Sequence, residues 1–416
     1  MPPTFPHRRP RPIRRRTALL SGTALLSGTA LAATALPIIT ATPAAALQSA
    51  PATFTLPAPT GHHRVGTTSL HLVDTSRPDP WVPTQPFREL VIQLWYPTLA
   101  AHGYPHAPWM TPTAARAYEQ VNGLPALPLP ITAAYLGAPA HHRFGGWPVV
   151  LYSHSLGGDR AEVTALVEDL ASHGYVVVTI DHVHDADVVE LPDGHVETNA
   201  MPPFTKDNEI AVTTKAIESR VTDVRFVLDQ LAVIHCGGNP DHEHRPLPDG
   251  LRGALDLDRV GMFGQSDGGS TTAHAIHVEA RISAGVNLDG TLWTPEAVAG
   301  SGHPLLLFGR QDLDPFEAST WAEFWTSQRG PKLHLNLTGS THHTFTDLAV
   351  LLPQAAPILG FPPERVTAVV GTIDGQRAVT IERTYLGAFF DTYLRHHDSR
   401  LLTGPSPSYP EVVFTP

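Results

Sequence analysis

The chain has 416 residues, 42 % of them hydrophobic, enough to bury a substantial core. Its 39 Asp and Glu outnumber 28 Lys and Arg, and a net charge of −11 disfavours nucleic acid and anionic membranes as partners while leaving neutral or zwitterionic small molecules open. One cysteine, Cys236, excludes an internal disulfide, so stability has to come from the core.

Residues 1–46 have a basic front, an apolar middle and a small-residue end, the shape of an export signal. Arg15-Arg16 followed by Thr-Ala-Leu-Leu fits the twin-arginine type, and Ala44-Ala45-Ala46 offers a cleavage site after Ala46. The alternative is an uncleaved anchor, since the run approaches the ~20 residues a span needs. Cleavage predicts a secreted protein with no stable membrane insertion, carrying 22 Lys and Arg against 39 Asp and Glu. Residues 47–62, rich in Pro and Ala with no apolar period, read as a mobile lead-in, and 63–416 as one domain.

Strand-like runs follow in chain order: TSLHLVD, ELVIQLWYP, PVVLYSH, YVVVTIDH, DRVGMFG, ISAGVNLDG, PLLLFGRQD and KLHLNLTGS. Several are continuously apolar, as expected of strands covered on both faces. Between them lie helical patterns at 159–174, 208–234 and 266–281. In the second, Ile217, Val221, Val224, Leu228 and Leu231 recur at steps of three and four, one buried face. The alternation implies an α/β protein with a mainly parallel central sheet flanked by helices, its first two strands an antiparallel edge. Pro-, Gly- and His-rich stretches at 97–147, 185–208 and 235–258 read as loop insertions.

Two serines compete as nucleophile. Gly264-Gln265-Ser266-Asp267-Gly268 fits G-x-S-x-G between a strand and a helix, the sharp turn of the α/β-hydrolase fold, where bulk at either flank clashes. Ser155, in Ser-His-Ser-Leu-Gly-Gly, fails because Ser153 stands at the first glycine position. That earlier loop instead suits an oxyanion hole, with backbone N–H donors from Leu156 and Asp267, and the Ser155 hydroxyl is expected to cap the next helix. The base is expected in a loop after the late strands, at His342 or His343. The acid is Asp289, ending one strand, or Asp312, ending the next; the commoner position in this fold favours Asp312.

The stretches YSHSLGG, DLASHGYVVVTIDH, GQSDGGS, NLDG and GSTHHTFTD, all between about 150 and 350, resemble the plasma-type platelet-activating-factor acetylhydrolases and related bacterial esterases and lipases in order and approximate spacing. The resemblance implies a calcium-independent serine ester hydrolase that needs no cofactor and acts on short-acyl esters or phospholipids. It maps the nucleophile onto Ser266, the acid onto Asp289 and the base onto His342. The sequence departs at Asp267, where these enzymes usually carry an apolar residue. A carboxylate there would oppose the developing oxyanion charge unless its side chain turns away. A glycine is also usual where Ser155 stands. Asp347 reads as a residue behind the site or a helix cap.

Trp293, Phe316, Trp321, Trp325 and Phe345 lie near the site in sequence and are candidates to line an acyl pocket, or ordinary core aromatics. The clusters DHVHDAD and HCGGNPDHEH lack a recognised zinc spacing, and no metal is expected. Two rival readings stand beside the first: a lipase or cutinase-like polyester esterase with Asp312 as acid, and a hydrolase-shaped binding protein with Asp267 spoiling the hole.

Overall fold

A computed structural model describes residues 53–415; the leader and cleavage point expected at 1–46 lie outside them. The strands are β1 (Arg64–Asp74), β2 (Arg88–Thr98), β3 (His106–Pro108), β4 (Ile131–Leu136), β5 (Trp147–Ser153), β6 (Val176–His182), β7 (Val188–Glu190), β8 (Val196–Thr198), β9 (Leu255–Gln265), β10 (Ile282–Leu288), β11 (Leu305–Arg310), β12 (Lys332–Leu337) and β13 (Val412–Phe414). The helices are α1 (Pro112–Val121), α2 (Thr164–Ser172), α3 (Glu209–His235), α4 (Asp267–Val278), α5 (Pro295–Val298), α6 (Pro315–Ser327), α7 (Leu348–Leu359), α8 (Pro363–Val370) and α9 (Gly375–Arg395).

Eleven strands form one sheet in the order β13-β12-β11-β10-β9-β5-β6-β2-β1-β4-β3, and β7 and β8 form a separate hairpin. The six strands from β12 to β6 pair in parallel, the signature of strand–helix–strand crossovers. Strand β2 runs antiparallel to both β6 and β1. Every residue of β5 and β6 is buried, because both faces of the sheet are covered. Alternate side chains divide between the faces. Val149, Leu151, Val178 and Met262 pack with α3, α4 and α6, whereas Val150, Tyr152, Val177 and Phe263 pack with α2 and α9. The periodic residues of α3, from Ile217 to Leu231, are all buried in the first layer.

Three features depart from the expectations. The stretch 97–147 is more than a loop: it supplies β3, α1 and β4, so the β1–β2 pair lies inside the sheet edge. The helix expected from 159 starts only at Thr164, because the Asp159 carboxylate accepts the Ala161 N–H at 2.7 Å and holds a turn there. Residues 54–60 carry no apolar period but are held to the body: Phe54 is buried against Leu351 and Ala355, and the Thr60 N–H donates to Asp169 at 2.8 Å. Among the described residues no helix is long and apolar enough to cross a membrane.

Candidate active site

Strand β9 turns directly into α4 at Ser266, whose backbone sits at φ 55°, ψ −121°. A non-glycine residue at positive φ costs about 1–3 kcal/mol and persists only where its surroundings enforce it. Here the flanks do so. A Cβ on Gly264 would lie 2.1 Å from the Gly268 backbone, and one on Gly268 would lie 1.9 Å from the Ser153 carbonyl oxygen. The Ser266 N–H is tied to the Leu288 carbonyl at 2.9 Å, linking the turn to β10. The fold thus offers the Ser266 hydroxyl at the C-terminal end of the parallel strands.

His342 lies in the turn after β12 with its Nε2 3.0 Å from Ser266 Oγ. Its Nδ1 is 2.7 Å from Asp289 Oδ2. Asp289 follows β10 at φ 54°, fully buried, and also accepts from the Arg310 N–H at 2.7 Å and from Arg310 Nη1 at 2.5 Å. Burial alone would raise its pKa, but the His342 hydrogen bond and the His342 and Arg310 charges outweigh it and hold the carboxyl below its ordinary value. Burial likewise opposes charge on His342, and Asp289 more than compensates, raising the imidazole above 6.5. Asp312 sits exposed in the loop before α6 and makes no bond to either histidine; the structure brings Asp289 to His342 instead. His343 is exposed, its ring edge-on to His342 at 5.5 Å.

The loop after β5 closes the other side. Among the described residues, neither the Leu156 N–H nor the Asp267 N–H has an acceptor, and Asp267 directly follows Ser266. Contrary to the expectation that it caps the next helix, Ser155 sends its N–H and hydroxyl to Glu162, at 2.6 and 2.7 Å, and α2 begins without a side-chain cap. The Asp267 carboxyl accepts from the Trp293 indole N–H at 2.9 Å. Burial pushes it up to about 6, with the Arg220 charge the strongest influence holding it down.

Several neighbours were not anticipated. Arg310 bridges Asp289 and the buried Glu317, whose Oε2 it meets at 2.6 Å. Burial first, and then the Asp289 charge, push Glu317 up to about 7. Arg310 begins the RQD stretch that ends at Asp312, and it is this first residue, not the last, that meets Asp289. Arg220 lies within the apolar stripe of α3, between Ile217 and Val224, and a charge at that position was the available signal.

Asp347 precedes α7 without capping it; its carboxyl accepts from the Ala165 N–H at 3.2 Å and the Trp109 indole at 3.1 Å, tying the His342 turn to α2. Burial raises it to about 8. A carboxyl raised in the folded state stabilises below its unfolded pKa of about 4, and that contribution is lost as pH climbs through about 8. The melting temperature of Asp347→Asn is therefore expected to depend less steeply on pH between 5 and 8 than that of the parent. Parallel profiles over that window would contradict the assignment.

Of the five aromatic candidates, Trp321 and Phe345 are core residues. Trp321 and Trp325 share a face of α6 and both approach the His334 ring, Trp321 edge-on at 5.0 Å and Trp325 tilted at 6.3 Å. Trp293 and Phe316 meet at 5.3 Å, with Phe316 49 % exposed, and form an aromatic shelf beside Asp267.

A second Ser–His–Asp constellation lies at the end of β5, next to the 154–158 loop. Ser153 Oγ is 3.0 Å from His182 Nε2, and His182 Nδ1 is 2.7 Å from Asp223 Oδ2. All three are fully buried, and Arg88 pairs with Asp223 at 2.8 Å. No ester reaches them, and the trio serves to join β5, β6 and α3.

Comparison with known proteins agrees with this architecture. Residues 50–400 match the family described as platelet-activating factor acetylhydrolase, isoform II. A probable 1-alkyl-2-acetylglycerophosphocholine esterase of Arthroderma benhamiae is 28 % identical over 89 % of this chain and 96 % of its own length. The platelet-activating factor acetylhydrolase of Canis lupus familiaris is 23 % identical over 60 % of the chain, which spans only 57 % of that relative. Among solved structures, a ferulic acid esterase from Streptomyces cinnamoneus superposes with a TM-score of 0.72 at 35 % identity, over 86 % of this chain and 98 % of that one. With its match running through most of the chain, the protein belongs to the platelet-activating factor acetylhydrolase, isoform II, family and is an ester hydrolase of the α/β-hydrolase fold.

Proposed function

We propose that the protein hydrolyses short-acyl esters, phospholipid esters among them, with Ser266 as nucleophile, His342 as general base and acid, and Asp289 as the residue that fixes the imidazole. The reading rests on one observation above all: the Ser266–His342–Asp289 hydrogen-bond chain at a strained strand-to-helix turn. His342 Nε2 takes the Ser266 proton as Oγ attacks the ester carbonyl, and Asp289 stabilises the imidazolium. The Leu156 and Asp267 N–H groups receive the oxyanion. His342 then returns the proton to the leaving alkoxide, and a water, activated in the same way, releases the acyl group.

A second substrate reading has its own observation. The Trp293–Phe316 shelf suits a flat aromatic acyl group, and the structural neighbour is named for ferulate. Turnover of p-nitrophenyl acetate, butyrate, octanoate and palmitate, an acetylated alkyl phosphocholine and methyl ferulate, with fluorophosphonate labelling alongside, tests both. The first reading expects label on Ser266 and rates falling steeply with acyl length. A preference for ferulate favours the shelf, and long chains favour a lipase. Binding of esters without label or turnover would sink the enzyme reading for this site.

Because His342 is raised above 6.5 and must be neutral to accept a proton, kcat/KM should be lost as pH falls through a value above 6.5. An acid limb below 6.5 would contradict a raised His342 imidazole. Export is proposed on the Arg15-Arg16 leader alone, and N-terminal sequencing of the secreted protein should begin near Leu47.

A further inference from the structure

Arg220 of α3 is completely buried, and its donors go to two kinds of acceptor. Nε and Nη2 grip the Asp185 carboxylate at 2.7 and 2.6 Å. Nη1 donates to the His154 carbonyl at 2.6 Å and Nη2 to the Ser155 carbonyl at 3.2 Å. In a trans peptide the C=O and N–H point in opposite directions. The Ser155 carbonyl, held by Arg220 together with the Gly158 N–H at 3.0 Å and lying 2.6 Å from His154 Nδ1, therefore aims the Leu156 N–H the other way. The preceding peptide obeys the same rule: the His154 carbonyl faces Arg220, and the Ser155 N–H is received by Glu162.

Asp185 is itself fixed. It sits in the turn after β6, its N–H is bonded to the His182 carbonyl at 2.9 Å, and its carbonyl accepts from Asn199 at 2.7 Å. The Leu156 side chain packs against the cluster of Trp81, Val212 and Ala216, the last two from α3 itself. The same guanidinium is the strongest charge restraining Asp267, the residue whose N–H is the second donor. A cation so buried is stabilised only by its partners, and its removal leaves the Asp185 carboxylate and the His154 carbonyl unpaired, while the Ser155 carbonyl keeps the Gly158 N–H at 3.0 Å.

We propose that Arg220, held by Asp185, is a positioning residue for ester hydrolysis: it helps orient the 154–156 peptides so that the Leu156 N–H faces the oxyanion. The proposal rests on Ser266 as nucleophile.

The test compares Arg220→Met, Arg220→Lys and Asp185→Asn with the parent, reading kcat and KM for p-nitrophenyl acetate and inhibition by a trifluoromethyl ketone, whose adduct carries an oxyanion. Arg220→Met should lose about 10²-fold in kcat with KM within about threefold, and ketone affinity should fall by a similar factor, because a donor aimed at the transition state is lost. Arg220→Lys and Asp185→Asn should fall between and carry the test if the methionine variant does not fold. Folded Lys and Asn variants with parental kcat and ketone affinity, or a loss confined to KM, would overturn the positioning role. A parent protein that hydrolyses esters without label on Ser266 would instead fail the reading beneath it.

Discussion

Ser266→Ala is expected to reduce kcat for p-nitrophenyl acetate by about 10⁶-fold, leaving only what binding and the remaining donors supply. The loss is large because the hydroxyl is both the bond-forming atom and the proton donor to His342, 3.0 Å away. Ser155→Ala makes the matching control. Its hydroxyl is spent on Glu162, so removing it should cost less than about tenfold in rate, in keeping with one hydrogen bond lost from a supporting loop. Equal losses at both positions would mean that the 151–160 stretch takes part in bond formation and that the assignment of one nucleophile is mistaken.

Separating the two candidate acids gives the second large effect. Asp289→Asn should lower kcat about 10⁴-fold, since an amide cannot hold His342 in the required tautomer or stabilise the imidazolium. It should also move the acid limb of kcat/KM downward, because Asp289 is what raises His342. Asp312→Asn, at an exposed position without a bond to His342, should leave both unchanged. If Asp312→Asn proved the damaging change, the His342 turn would have to adopt another arrangement in the working enzyme, and the polyester-esterase reading would regain its ground.

Much of this could be read from the residues. Buried parallel strands announce themselves as continuous apolar runs, and the α3 stripe by its period, because both patterns record which faces meet the core. The Ser266 turn was legible for a steric reason: Gly264 and Gly268 each face backbone closer than any Cβ allows. The choice between Asp289 and Asp312 was not, since both end strands, and only the path of the chain after β10 decides which carboxylate meets His342. Arg220, Asp185 and Glu162 stayed hidden for a related reason. Each is an ordinary charged residue locally, and its role arises from partners 7 to 66 positions away that the fold brings together. The β3–α1–β4 insertion was missed because its strands are short and lie at the edge, without a two-sided apolar signal. Residues 348–415 also held three helices and a strand with no assigned period.

The buried Ser153–His182–Asp223 trio gives this chain its own internal standard. It repeats the side-chain types and both separations found around Ser266, yet lacks a strained turn and an opening to solvent. A geometric template search would return two hits in one molecule, while an active-site reagent should find one. The ratio of phosphonylation at the two serines would then measure, within a single polypeptide and under identical conditions, what the surroundings add to three side chains that are otherwise the same.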